Sequence, residues 1–160
     1  MKMNGFTLVE VLVVGFFVMV LYTLTTQSLF RGQRSTSLTE VSGQLVRDVR
    51  ESQIRAMQGK TSSGGGLVDH SIRFEADRYI LYPGLVYESG NPENQIVTLP
   101  PTMQFASINI PDQTATFGRG SGDVRNYVSG SDTITISDGA IGKTENIRIN
   151  RRGVVFVSHE

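Results

Sequence analysis

The sequence predicts an α+β fold: a long N-terminal α-helix, membrane-spanning over its first half and packed by its second half on an antiparallel β-sheet domain of one sheet or two. Three observations predict it. Apolar residues are concentrated at the N-terminus, where Phe6 to Leu24 reads FTLVEVLVVGFFVMVLYTL with Glu10 as its single charge. A repeat at helical spacing follows, with Leu38, Val41, Leu45, Val49, Ser52 and Ala56 three or four residues apart. The remainder consists of short β-prone runs punctuated by Gly and Pro.

A chain of 160 residues suits one modest domain with an appended element. Its 15 basic and 15 acidic side chains cancel, which argues against a strongly electrostatic nucleic-acid binder. The absence of cysteine excludes disulfides, thiol nucleophiles and thiolate metal sites together. At 39% hydrophobic residues the chain is too apolar for wholesale disorder.

The apolar run is 19 residues long, or roughly 28 Å as a helix against about 30 Å for the hydrocarbon core of a bilayer. A cleavable secretory signal has a shorter apolar region of about 7–15 residues, then a small-residue cleavage site. Tyr22 to Ser28 offers no such site. A core helix that is apolar on every face needs a larger protein around it than the remaining residues supply. Residues 6–30 therefore read as a membrane segment. Lys2 and the α-amine on one side balance Arg31 and Arg34 on the other, so charge alone leaves its orientation open.

Glu10 has two readings. Near the membrane surface it can snorkel or take up a proton. Deeper, where a carboxylate costs roughly 2.5–3.5 kcal/mol, it calls for a cationic partner. No Lys or Arg lies between Phe6 and Leu24. The nearest candidate is a backbone amine created by a cut shortly before Glu10.

Met1-Lys2-Met3-Asn4-Gly5 is a short polar stub with one basic residue, and it abuts Phe6-Thr7-Leu8-Val9-Glu10. In these residues the sequence resembles the type IV pilin family, which includes the pseudopilins of type II secretion. Their class III leader runs from a basic stub through Gly, Phe, Thr, Leu and an aliphatic residue to Glu, followed by a long apolar stretch. The resemblance implies that residues 1–5 are a leader removed by prepilin peptidase between Gly5 and Phe6. It implies an N-methylated Phe6, and an assembly role for Glu10 and Thr7, with Glu10 paired to the α-ammonium of a neighbouring subunit. It further implies a bacterial inner-membrane protein, single-pass with a cytoplasmic N-terminus, that passes into a periplasmic or extracellular filament. The implied partners are other pilins or pseudopilins, the membrane, an assembly platform membrane protein and, indirectly, its cytoplasmic ATPase. Nucleic acid enters only if the machine serves DNA uptake. Many family members carry a kinking proline at about the position of Gln27, which this chain lacks.

Residues 31–58 continue as an amphipathic helix. Arg47, Asp48, Arg50, Glu51 and Arg55 fall largely off the apolar stripe, as a solvated face with i,i+4 pairs. Gly59 and Ser62-Ser63-Gly64-Gly65-Gly66 end it. Residues 59–160 form the β-rich domain. Ser71–Phe74 and Arg78–Tyr82 read as a hairpin around Glu75-Ala76-Asp77. Further strands are expected at Gln95–Leu99, Met103–Ile108, Thr114–Phe117, Asp132–Ser137, Glu145–Asn150 and Val154–Ser158. Period-two pairs such as Ile134/Ile136, Ile147/Ile149 and Val155/Val157 support them.

Three segments sharpen the likeness toward H-type minor pseudopilins and minor type IV pilins. They are Glu51 to Met57 near the helix end, Phe74 to Gly84 with its closing Tyr82-Pro83-Gly84, and TITISDG followed by IRINRRGVV. The likeness implies a subunit that initiates or caps a filament. Two alternatives are a major shaft pilin and a membrane-tethered β domain whose loops, at Gly84–Pro92 or Phe117–Gly130, bind DNA, a surface or a secreted substrate.

No catalytic constellation is expected, and no cofactor or metal. Gly142-Lys143-Thr144 lacks the first glycine of a P-loop, and Gly118-Arg119-Gly120-Ser121-Gly122 lacks dinucleotide-motif spacing. His70 and His159 stand far apart and read as surface residues. Asp132 with Asp138, or Glu75 with Asp77, lacks the frame of a calcium loop. Arg148, Arg151 and Arg152 have no aromatic platform beside them and read as a solvated turn.

Overall fold

The computed structural model describes the backbone of residues 8–59 and 68–159, without the side chains of 23–36 and His159. Helical backbone is assigned to α1 (Leu8–Met57). Eight strands follow: β1 (His70–Phe74), β2 (Arg78–Pro83), β3 (Gln95–Thr98), β4 (Met103–Asn109), β5 (Thr114–Phe117), β6 (Thr133–Asp138), β7 (Lys143–Ile149) and β8 (Val155–His159). The chain divides into two compact units, Met1–Thr36 and Ser37–Glu160.

The expected architecture of one long helix with a membrane-spanning first half is corrected. The described helical side chains fall in two short stretches, 8–22 and 37–57, one in each unit. Among the described residues no helix is long and apolar enough to cross a membrane. Residues 8–22 reach about 22 Å at 1.5 Å per residue, short of the ~20 apolar residues that a bilayer core requires. The count of 19 relied on Phe6, Thr7, Thr23 and Leu24, whose side chains lie outside the described residues. The expectation of a single-pass inner-membrane location is corrected on the same finding. The position of Gln27 and the Ser62–Gly66 run also lie where side chains or backbone are not described.

The second unit holds two four-stranded antiparallel sheets, ordered β3-β2-β1-β5 and β4-β6-β7-β8. Each strand begins and ends within two residues of the run read from the sequence. Local chemistry explains the turns. Glu75 N–H donates to Arg78 C=O at 2.9 Å across the β1–β2 turn, and Phe74 faces Tyr79 in register. Between β7 and β8 the Asn150 Oδ1 accepts from the N–H groups of Arg152 and Val154, both at 2.9 Å. Gly153 completes that turn at φ +73°, a left-handed conformation open to glycine at little cost.

Pleat alternation sorts the side chains. Ile72, Phe74, Tyr79, Leu81, Ala115 and Phe117 of the first sheet meet Phe105, Ile134, Ile136, Ile147 and Ile149 of the second in one core. Phe105 lies edge-on to both Phe74 and Tyr79, with centroids 5.7 and 6.4 Å apart. The β1–β2 turn also pins the start of the second sheet, since Ala76 C=O accepts from Phe105 N–H at 2.9 Å.

Residues 37–57 close the core. Leu38, Ser42, Leu45, Val49, Ser52 and Ala56 are buried, at spacings of four and three in strict alternation. The stripe differs from the expected one at a single position: Ser42 is buried where Val41 is only half-buried. Small side chains stand at 42, 52 and 56 of this buried stripe. Gly59, at φ +62°, ends the helix in a left-handed cap, with Gln58 N–H on Ile54 C=O at 2.8 Å.

The Ser42 hydroxyl is buried and has no hydrogen-bond partner among the described residues. A buried hydroxyl in that state costs free energy, and alanine is also the better helix former. Ser42→Ala is expected to stabilise the domain by about 1 kcal/mol, read as a higher denaturant midpoint at unchanged slope. A loss of stability would show that the hydroxyl is satisfied.

Candidate functional site

Glu10 lies in the first turn of α1 with its side chain exposed. Its negative charge there complements the partial positive charge of the helix N-terminus. Gly5, Phe6 and Thr7 lie outside the described residues. The helix that follows is apolar on every face and exposed throughout: Leu8 is 80% accessible, Met19 is 70%, and the consecutive Val11, Leu12, Val13 and Val14 are all exposed. Four successive helical residues point in directions about 100° apart, so no face is polar enough to meet water by preference. An apolar surface of this extent marks a place where other molecules bind.

A second site lies on the outer face of the first sheet. Pleat alternation turns Arg73, Tyr82, Thr114 and Thr116 to that side. The chain after β2 folds over it: the Ser71 hydroxyl donates to Gly84 C=O at 2.6 Å, and the Tyr87 ring meets Tyr82 at 5.5 Å. The Arg73 guanidinium stacks on Tyr87, 5.5 Å from the ring centroid. From the other side, Asn126 braces the backbone. Its Oδ1 accepts from Thr116 N–H at 3.1 Å and its Nδ2 donates to Thr114 C=O at 2.5 Å. The two loops named from the sequence, Gly84–Pro92 and Phe117–Gly130, thus flank one groove. It measures about 450 Å³ and carries Leu85, Val86 and Tyr87 on one lip and Arg125 and Asn126 on the other. Asp112, on its rim, and the adjacent Gln113 both sit at φ +53°, a strained conformation for residues other than glycine.

The groove is of ligand size but mixed in chemistry. Its arginines already face carboxylates, Arg73 with Glu75 and Arg125 with Asp69, each at 3.4 Å. A smaller cleft of about 350 Å³ is lined by Ser52, Arg55, His70 and Glu93, and places His70 in a half-buried setting.

Polar side chains serve as pins between elements. Gln53 Nε2 donates to Gly122 C=O at 3.0 Å and to Arg152 C=O at 2.7 Å, joining the helix to two loops. A Cβ on Gly153 would stand 2.4 Å from that nitrogen, so glycine is required there for space as well as for its φ. Thr39 Oγ1 donates to Glu145 at 3.0 Å, and the Tyr79 hydroxyl donates to Asp48. Burial, then the bond to Asp48, pushes the Tyr79 phenol well above its ordinary range.

Asp132, weighed from the sequence as a calcium ligand, is an internal ion-pair partner. Its Oδ2 accepts from Arg148 Nε at 2.9 Å and from the Tyr127 hydroxyl at 3.2 Å. Burial works to raise the pKa of this carboxyl, but the bonds from Arg148, Tyr127 and Thr133 outweigh it and hold the group below its ordinary value. Asp138 accepts from Ala140 N–H at 2.9 Å as a turn cap. Sequence reasoning missed Gln53 and Asn126, whose partners are backbone groups remote along the chain.

No family model, no curated protein and no solved structure matches the chain.

A carboxyl whose pKa is depressed on folding contributes stability above its unfolded pKa of about 3.9, and loses it as pH falls through the folded value. Asp132→Asn is therefore expected to cost about 1–2 kcal/mol at pH 7, with the gap to wild type narrowing in denaturant titrations at an acid pH below the ordinary carboxylate range. An equal gap at both pH values would assign the loss to packing rather than charge.

Proposed function

We propose that the chain is a structural subunit of the type IV pilin class: a minor pilin or pseudopilin that initiates or caps a pilus or a type II secretion pseudopilus. The observation that carries this reading is the all-round apolar exposure of residues 8–22, interrupted only by Glu10 in the first turn. Such a helix is stable when other helices enclose it, as in the core of a helical filament. The motif from Gly5 to Glu10 supplies the rest. Prepilin peptidase cuts between Gly5 and Phe6, Phe6 becomes the methylated N-terminus, and Glu10, aided by Thr7, meets the new ammonium of an adjoining subunit. In the enclosed, low-dielectric core that ion pair sets the axial register between helices. The partners are prepilin peptidase, co-assembling pilins, and an assembly platform with its ATPase.

A second reading is favoured by the groove over the first sheet. A domain with a ligand-sized cleft between two loops can act as a binding module for DNA, a surface or a secreted substrate. Both roles suit a subunit at a filament tip.

Mass spectrometry of the native protein is expected to show a chain beginning at Phe6, heavier by about 14 Da for one methyl group. Glu10→Ala is expected to be cut normally and yet be excluded from filaments. An uncut leader in filaments, or normal entry of the Glu10 variant, would contradict the pairing of Glu10 with a newly made N-terminus; absence of the native protein from filaments would contradict the filament reading and leave the binding module.

A further inference from the structure

We propose that the turn between β4 and β5 is a strained latch on the rim of the groove: the Asn126 amide holds Asp112 and Gln113 in their left-handed conformation, and the turn relaxes to a second setting when that amide lets go. The latch belongs to the groove's own geometry and depends neither on the filament reading nor on an occupant.

The strain needs a cause. Asp112 and Gln113 are the two central residues of a turn closed by Thr114 N–H on Pro111 C=O, and both sit at φ +53°. A left-handed residue other than glycine is disfavoured because its Cβ crowds the following carbonyl oxygen, and Gln accepts this less readily than Asp. Two such residues in succession are usual in two-residue hairpins, where the twist of the paired strands demands them and Asn-Gly or Asp-Gly supplies them. Neither condition holds here. β4 and β5 lie in different sheets, so no pairing between them imposes the turn, and its second central residue is Gln rather than Gly. The turn's own backbone bonds do not impose it either. Gln113 N–H on Ile110 C=O, at 3.0 Å, and Thr114 N–H on Pro111 C=O each span three residues and form equally well in a right-handed 3-10 turn.

Side chains are what remain. Asn126 Nδ2 donates to Thr114 C=O at 2.5 Å and to Pro111 C=O at 3.5 Å, so one amide bridges the last and first residues of the turn. Its Oδ1 accepts from Thr116 N–H at 3.1 Å, which fixes the amide against β5. The preceding residue anchors the brace, since Arg125 N–H donates to Thr116 C=O at 2.8 Å. The Thr114 hydroxyl adds a bond to Asp112 C=O at 3.1 Å. Asn126 stands on one lip of the groove and Asp112 on its rim. With the amide gone, only the Thr114 hydroxyl opposes the return of both residues to negative φ, and Asp112 then leaves its place on the rim.

A double-mutant cycle in the full-length protein tests the latch. Gln113→Gly relieves the strain at one residue and is expected to raise the folding equilibrium constant roughly fivefold. In an Asn126→Ala background, where the turn has already relaxed, the same change is expected to give no gain. The cost of a glycine's freedom in the unfolded chain is common to both backgrounds and drops out. Hydrogen exchange locates the effect. Asn126→Ala is expected to speed exchange at Thr116 N–H about tenfold, while Arg125 N–H, held by a backbone carbonyl, stays protected. An equal gain from Gln113→Gly in both backgrounds, no gain in the native background, or loss of protection at Thr116 and Arg125 together would overturn the proposal.

Discussion

Burial of helix surface is the constraint on which this molecule depends, and the chain meets it in two different ways. Along residues 37–57 the apolar surface is a narrow stripe, Leu38 to Ala56, and the same chain supplies the two sheets that cover it. Along residues 8–22 the apolar surface runs all round the helix, and most of it remains exposed. A stripe can be satisfied within a domain, whereas a fully apolar cylinder needs neighbours on every side. Each half of the chain's behaviour follows from this difference in width.

In the β-rich unit, the sheets contribute apolar area and a few polar side chains fix how the parts meet. Gln53 is the clearest case, since one amide holds two loops and excludes any side chain at Gly153. Asp132 with Arg148, and Tyr79 with Asp48, do similar work between other elements. The buried members, Asp132 and Tyr79, would be costly if left unpaired inside the protein, so they select one arrangement of elements over alternatives of similar apolar burial. Loops cover the outer face of the first sheet as well, burying Ser71, Ile80, Tyr82, Thr114 and Thr116, and the groove is the space between the two covering loops.

Strand positions were legible because alternation at Ile134/Ile136 or Ile147/Ile149 follows directly from a half-buried pleat, and Gly or Pro marks the turns between. The helix stripe was legible except at Ser42, a small polar residue that helical geometry places on the buried face and that hydropathy assigns to the solvent side. The expected membrane span rested on composition alone, which does not fix helix length: among the described residues no helix is long and apolar enough to cross a membrane. The groove was half legible: its two loops were identifiable, but their meeting depends on Asn126 reaching backbone groups of β5 and on Tyr87 packing against Tyr82. Side-chain bonds to remote backbone carry no periodic signal, which is also why Gln53 went unnoticed within its helical segment.

Thiol accessibility around the apolar helix tests the central claim most directly. Cysteines placed singly at Val11, Leu12, Val13 and Val14 sample all sides of one helical turn. In native assemblies treated with a water-soluble maleimide, enclosure by neighbouring helices predicts protection at all four positions, with labelling restored after dissociation and unfolding. Free labelling at all four in the assembled state would contradict the account.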